Sequence, residues 1–252
     1  MSARAFLMLA FGGFAYLCFL AVAAAGLGFV GGAGVVRGID DPPTAAVPVA
    51  VALDVGLLAL FGVSHSVMAR AGFKRRWTKL VGVTAERSVY VLTSSASLAL
   101  MFWQWRALPE PLWTVHHPVV RAALTVVALA GTALAVASTF FTDHFDLFGL
   151  RQVWLHARGV PYTPVPFKQR AIYGHVRHPM MLGLLLAFWA APTMTWGHAL
   201  FAAGMTAYIA IGIALEDRGL ARNFGADYER YRRDVPAIIP HLYRSTSRRD
   251  PR

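Results

Sequence analysis

Cysteine is almost missing from this chain: Cys18 is the single one among 252 residues. That excludes an internal disulfide and any Cys-x-x-Cys metal site. Cys18 lies inside a long apolar run, where a thiol acts as a small apolar residue. Charge is scarce too. Asp, Glu, Lys and Arg together make up 15% of the chain, against roughly a quarter in soluble proteins. Acids are the rarer sign, 13 against 24 Lys and Arg, for a formal charge of +11. There is no internal repeat and no Gly-rich nucleotide loop of either standard spacing.

What is abundant is apolar: 56% of the residues are hydrophobic, and they fall in long runs. Runs of that length make a polytopic membrane protein. The basic residues cluster in the gaps between runs, so membrane topology and anionic headgroups account for the charge, and a nucleic-acid partner is not expected. Nothing in the sequence calls for a protein partner or a metal.

Six runs are read as spans: about 5–30, 45–68, 88–105, 119–141, 179–191 and 198–215. Arg4 alone precedes the first, and Ala23 to Gly26 has the small residues of a cleavage site. The run is too long for a typical signal peptide, so it is read as a retained span. The segment 70–87 carries six basic residues against Glu86 and marks the cytoplasmic side. The segment 106–118 has one basic residue and is read as an outer loop, with His116 and His117 in solvent and Trp103, Trp105 and Trp113 in the interfacial belt. Six crossings put both termini in the cytoplasm of a cell inner membrane. The expected fold is an all-α, polytopic integral membrane bundle of five to six transmembrane helices with a cytoplasmic C-terminal helix. Residues 1–243 are read as one membrane-embedded domain and 244–252 as a disordered basic tail.

Ionisable groups at membrane depth must face protein or water. Asp54 and His65 are eleven residues apart, near three helical turns, and so share a face. Asp54 is expected to pair near the outer side with Arg121. His65, at the other end of its span, is expected near the inner polar residues. Pro192 to Gly197 reads as a tight turn, and 218–233 as one charged helix stopped by Val235-Pro236.

The densest polar stretch is Tyr173 to Gly183, YGHVRHPMMLG. Pro179 suits the first position of a helix, so Arg177 and His178 sit where backbone donors and the helix dipole favour an anion. The basic loop with Lys168 and Arg170 leads into it. His144, Asp146 and Arg151 lie in a half-apolar segment, 142–151, at the same membrane face, as do Glu216, Tyr228 and Tyr231. Aromatic and basic residues alternating with single carboxylates suit an adenosine-type ligand with a charged tail.

These residues carry a resemblance. Tyr173 to Gly183 resembles the Y-x-x-V-R-H-P-x-x-x-G motif of the isoprenylcysteine carboxyl methyltransferase-like membrane superfamily. Glu216-Asp217, Leu220, Phe224-Gly225, Tyr228, Tyr231, Val235-Pro236 and Pro240 match its second motif in order. Ala171 stands where many members have Gly, and Met181 where Tyr is frequent. Within the superfamily, His65-Ser66, Ala69, Phe73-Lys74, Glu86 to Tyr90 and His144 to Trp154 resemble the methanethiol S-methyltransferase family and the related NnrU-type proteins. The resemblance implies S-adenosylmethionine as donor and a small volatile thiol as acceptor. It places the donor on Tyr173, His175, Arg177, His178 and Glu216, with Arg177 or the start of the Pro179 helix on its carboxylate and Tyr228 and Arg232 closing over it. His144 supported by Asp146 is the first choice of thiol base and His65 the second, while Asp146 paired with Arg151 is the structural alternative. A lipophilic or prenylcysteine-type acceptor, a non-catalytic NnrU-like role and a reductase are the rival readings.

Overall fold

The structure is a computed structural model that describes residues 2–32, 37–42, 44–165 and 171–239, apart from the side chains of residues 171 and 223. Lys168 and Arg170, Pro240 and the tail 244–252 therefore lie outside the described residues. The elements run α1 (Ala3–Gly31), α2 (Val47–Met68), α3 (Ala71–Val81), α4 (Val83–Gln104), β1 (Pro111–Thr114), α5 (Pro118–Thr142), α6 (His144–Leu147) and α7 (Leu150–Ala157). A 3-10 turn (Ala171–Gly174), α8 (Pro179–Trp189), β2 (Thr193–Thr195), α9 (Trp196–Phe224) and α10 (Ala226–Asp234) complete the chain.

This is the expected all-α, multi-pass membrane bundle. Helices α1, α2, α5 and α9 (to Arg222) are long and apolar enough to cross a membrane. Their outward residues are apolar: Leu7, Phe14, Val63, Val126 and Leu129 are all exposed, as lipid-facing positions must be. Helix α4 has 22 residues but carries Glu86 in its first turn. Helix α8 has 11 residues and rises only about 16 Å, so it is a short companion to the longer spans. It lies on α5 through two glycines. A Cβ on Gly131 would stand 2.6 Å from the Gly183 carbonyl oxygen, and one on Gly183 would collide with the Gly131 carbonyl oxygen and Ala135 backbone. The glycine that ends the Tyr173–Gly183 motif is thus a close-packing residue of the kind that joins helices in membranes.

Two differences from the sequence reading concern the ends of elements. The outer loop and the tight turn are tied together: β1 and β2 pair antiparallel, with Trp113 opposite Met194 and Thr114 opposite Thr193. Strands of four and three residues carry too little pattern to be read from sequence. The charged helix is two helices, because α9 continues to Phe224 and the chain turns at Gly225, whose φ of 56° favours glycine, before α10 begins.

The contacts give the bundle two distinct ends. Phe29 at the end of α1, Trp105 just after α4 and Phe201 near the start of α9 meet in a buried aromatic core at one end. Asp54 faces this end but does not pair with Arg121. It accepts the backbone N–H of Arg106 at 2.9 Å, while Arg121 donates to the Val115 carbonyl. An amide left free by the end of α4 takes the buried carboxylate, so no second charge has to be buried with it. His65, on the same face of α2, also turns to α4. The shared face was thus read correctly, with α4 as its partner. The opposite end holds the first turns of α4 and α8, the last turns of α5 and α9, and all of α3, α6, α7 and α10.

Candidate functional site

At the second end, a buried ionic knot joins the start of α8 to α9 and α10. Asp217, two turns before the end of α9, is its centre. Its Oδ2 accepts from Arg177 Nη2 at 2.8 Å, and its Oδ1 accepts from His178 Nε2 at 3.0 Å and from the Tyr228 hydroxyl. Arg177 Nη1 also donates to the carbonyls of Arg232 and Val235. The amides of Arg177 and His178 donate to the Pro236 and Ala237 carbonyls, so the segment after α10 is stitched to the residues before α8. The Tyr231 hydroxyl donates to the Tyr173 carbonyl at 2.6 Å. Burial and the bond to Asp217 push the Tyr228 hydroxyl well above its ordinary range, so it stays a donor. Burial does the same for Tyr231.

The predicted donor-site residues are therefore brought together, but they divide into two kinds. Arg177, His178 and Tyr228 are inside, engaged with protein groups. Both Arg177 Nη atoms already have protein partners, Asp217 and two carbonyls, so a ligand carboxylate would share this guanidinium with them. Only its Nε is buried without a partner. Glu216, His175, Tyr173 and Arg232 form the accessible rim. The Glu216 side chain is 53% exposed, with Oε2 3.6 Å from His178 Nδ1, His175 is exposed, and Arg232 faces Glu229 at 4.0 Å. Tyr173 reaches across to α5, where its hydroxyl meets Thr142 Oγ1 at 2.7 Å.

Just past Thr142 lies His144, in a pocket of rings. Phe140 stacks on the imidazole at 4.2 Å, and Tyr16, Phe145 and Phe148 pack around it. His144 Nδ1 is 2.7 Å from Thr139 Oγ1 and Nε2 is 2.7 Å from the Tyr16 hydroxyl. Thr139 gives its own proton to the Val136 carbonyl, so the network assigns the imidazole proton to Nδ1 and leaves the Nε2 lone pair facing Tyr16. Burial lowers the His144 pKa, with Asp143 opposing weakly, which favours a neutral ring near pH 7. Asp143 holds φ at 145°, a left-handed value rare outside glycine, and its Oδ1 caps α6 by accepting the Asp146 amide. That turn aims His144 inward.

Asp146 does not stand behind His144. It pairs with Arg151 at 2.9 Å and accepts from Gln152 and Tyr162. Of the two roles open to it, the structural link is the one present. The two side chains are two residues apart on α6, about 200° of helical rotation, which sends them to opposite faces. His65 repeats the His144 arrangement elsewhere. Its Nδ1 meets Ser94 Oγ at 2.9 Å, Ser94 donates to the Tyr90 carbonyl, and its Nε2 accepts from the Tyr90 hydroxyl.

Three residues central to this end escaped the sequence reading as site residues. Asp217 was visible only as a motif member and helix-end acid. Tyr16 sits in the first span, with nothing local to mark it. Thr139 is one of several hydroxyls in an apolar run.

The profile of the NnrU protein family matches residues 55–238. A methanethiol S-methyltransferase of Mycobacterium tuberculosis is 45% identical over 243 residues, covering 96% of this chain and 100% of that one. Methanethiol S-methyltransferase 1 of Bradyrhizobium diazoefficiens is 47% identical over 235 residues, 93% of this chain and 82% of that one. Nurim of Xenopus laevis is 29% identical over 173 residues, 64% of this chain and 59% of that protein. No solved structure matches.

Proposed function

The chain belongs to the NnrU protein family, and from that premise we propose that it is an S-adenosylmethionine-dependent thiol S-methyltransferase whose acceptor is methanethiol and whose product is dimethyl sulfide. The observation that carries this reading is the contact between Tyr173 and Thr142. It joins the polar rim around Glu216 and Tyr173 to the aromatic pocket around His144. A charged, water-soluble donor and a small apolar acceptor need two such compartments side by side.

When bound, the donor supplies an electrophilic methyl group on a positively charged sulfur. The residues present fit such a group. Glu216 offers an exposed carboxylate to a cationic or hydroxyl-bearing ligand, Tyr173 and His175 offer rings and polar atoms at the rim, and Arg232 lies beside them. Arg177, His178, Asp217 and Tyr228 hold this rim in place rather than binding directly. Methyl transfer is an in-line displacement that needs alignment, a thiolate and the exclusion of water. The aromatic pocket excludes water, and a neutral sulfide product does not oppose an apolar wall. His144 Nε2 is placed to take the thiol proton, either directly or through the Tyr16 hydroxyl that faces it, and the donor, when bound, would give its methyl carbon to the thiol sulfur and keep the bonding pair of the broken carbon–sulfur bond. Asp146 has no part in that step. His65 is an alternative base with the same internal wiring.

This end of the bundle is proposed to face the cytoplasm of the inner membrane, with both termini on that side. Lys74, Arg75, Arg76 and Lys79 of α3 lie there, in accord with the positive-inside rule. The test is donor dependence. Purified protein given methanethiol forms dimethyl sulfide in the headspace only when S-adenosylmethionine is also present. Methylation of a membrane lipid in place of the thiol overturns the acceptor assignment.

A further inference from the structure

Both Nη atoms of Arg177 are engaged with protein groups, so a second cation at this end is a candidate partner for the donor's carboxylate. A cleft of about 530 Å³ opens at the same end, between the start of α4 and the α6–α7 segment, lined by Lys74, Glu86, Arg87, Asp146, Gln152 and Tyr162 among others. Matching the groups named here in pairs singles out Arg87 and Gln152. Asp146 is neutralised by Arg151. Glu86 faces Lys74 at 3.9 Å. Arg87 donates through Nε to the Leu147 carbonyl at 2.7 Å and lies 5.1 Å over the Tyr90 ring, but among the described residues its two Nη atoms have neither a hydrogen bond nor an ion pair. Gln152 donates through Nε2 to the carbonyl and Oδ1 of Asp146. Those bonds fix the amide orientation, and its Oε1 is left buried with no donor.

A two-pronged cation and an unfilled acceptor in one polar cleft describe a ligand that carries a carboxylate next to an N–H donor. We propose that this cleft binds the α-amino-acid end of the methyl donor, with Arg87 on the carboxylate and Gln152 Oε1, backed by Glu86, on the ammonium. The assignment rests on the donor reading above. The two sites are close enough for one molecule. Thr142 touches Tyr173 and Asp146 lines the cleft, and four residues span at most about 14 Å even when fully extended. His144 lies between Thr142 and Asp146 in sequence, so a donor bridging both sites runs past the turn that carries it. A phosphoethanolamine lipid headgroup offers the same pairing of anion and ammonium, so the experiment must separate the two sources.

The full-length protein in detergent is titrated with S-adenosylhomocysteine and with 5′-methylthioadenosine, which lacks the amino-acid end. Arg87→Gln and Gln152→Leu each weaken S-adenosylhomocysteine binding by about tenfold or more and leave methylthioadenosine binding unchanged, which also shows that the variants are folded. Lys79→Gln, an exposed neighbour on α3, changes neither. If the wild type binds both ligands and the two variants lose nothing, or lose both ligands equally, the cleft is not the amino-acid subsite and only this inference falls. Loss of co-purifying phosphatidylethanolamine from Arg87→Gln with S-adenosylhomocysteine affinity intact assigns the cleft to lipid and overturns it equally. A wild type that binds no S-adenosylhomocysteine overturns the donor reading itself.

Discussion

Arg177 and Asp217 are forty residues apart in sequence and meet through an Nη2–Oδ2 bond of 2.8 Å, with only 8% and 11% of their side chains exposed. The pair joins the residue before His178 to the end of α9, and His178 and Tyr228 complete it. An ion pair this enclosed is weak evidence for net stability, but breaking one side leaves an uncompensated buried charge.

Asp217→Ala is therefore expected to cost about 3–5 kcal/mol, read as unfolding in detergent, because Arg177 loses its counter-charge and His178 and Tyr228 lose their acceptor. The partly exposed Asp146–Arg151 pair, with 19% and 26% of its side chains exposed, is the contrast: Asp146→Ala should cost about 1 kcal/mol or less from the ion pair itself. Equal losses at the two sites would contradict the distinction between a buried knot and an interfacial link.

The α5–α8 contact predicts a steric failure. Gly183→Leu places atoms where the Gly131 carbonyl and the Ala135 backbone lie, so the two helices must separate. Overpacking costs about 1–3 kcal/mol or more, and the rim around Tyr173 should shift with α8. The measurement is melting temperature together with S-adenosylhomocysteine affinity, and both should fall. A variant that melts and binds like the wild type would refute the close crossing.

His144→Ala should lower turnover with methanethiol by about 100-fold while donor affinity, measured by calorimetry, survives. Tyr16→Phe tests the assigned tautomer: it removes the donor facing Nε2 but leaves the ring in place, so turnover falls less than in His144→Ala. If His144→Ala stays within about twofold of wild type, the base assignment passes to His65.

Burial lowers the His144 pKa, so acid favours the unfolded chain. The unfolded chain takes up this proton more readily, so the stability held at neutral pH is lost as pH drops from about 6.5 through the lower folded value. Melting temperature measured between about pH 7 and pH 5 should fall more steeply for the wild type than for His144→Phe. Parallel profiles would mean that the ring is not held neutral by its pocket.

Much of the bundle could be read in advance because hydrophobic length is a strong signal. All six runs became helices, and the Tyr173–Gly183 stretch did open a helix at Pro179. The shared face of Asp54 and His65 followed from helical period alone. What could not be read was which polar group meets which. Asp54 takes a backbone amide at the end of α4, a partner that every sequence offers and none advertises. Asp146 could serve His144 or Arg151 by spacing, and the turn at Asp143 decides for Arg151. Tyr16 meets His144 across 128 residues, and nothing around it in α1 marks it. The Tyr173–Gly183 stretch was legible as a polar cluster at a helix start. That Arg177 is held by Asp217, and that the Arg87 Nη atoms have no partner among the described residues, are facts of packing.

The most direct measurement of the central claim uses S-adenosylmethionine with a trideuterated methyl group. Purified protein is incubated with it and unlabelled methanethiol, and the headspace is read by mass spectrometry alongside S-adenosylhomocysteine in solution. The account predicts dimethyl sulfide carrying one trideuteromethyl group, formed one-to-one with S-adenosylhomocysteine and lost in His144→Ala. Label that appears in lipid, or S-adenosylhomocysteine that forms without labelled dimethyl sulfide, would contradict it.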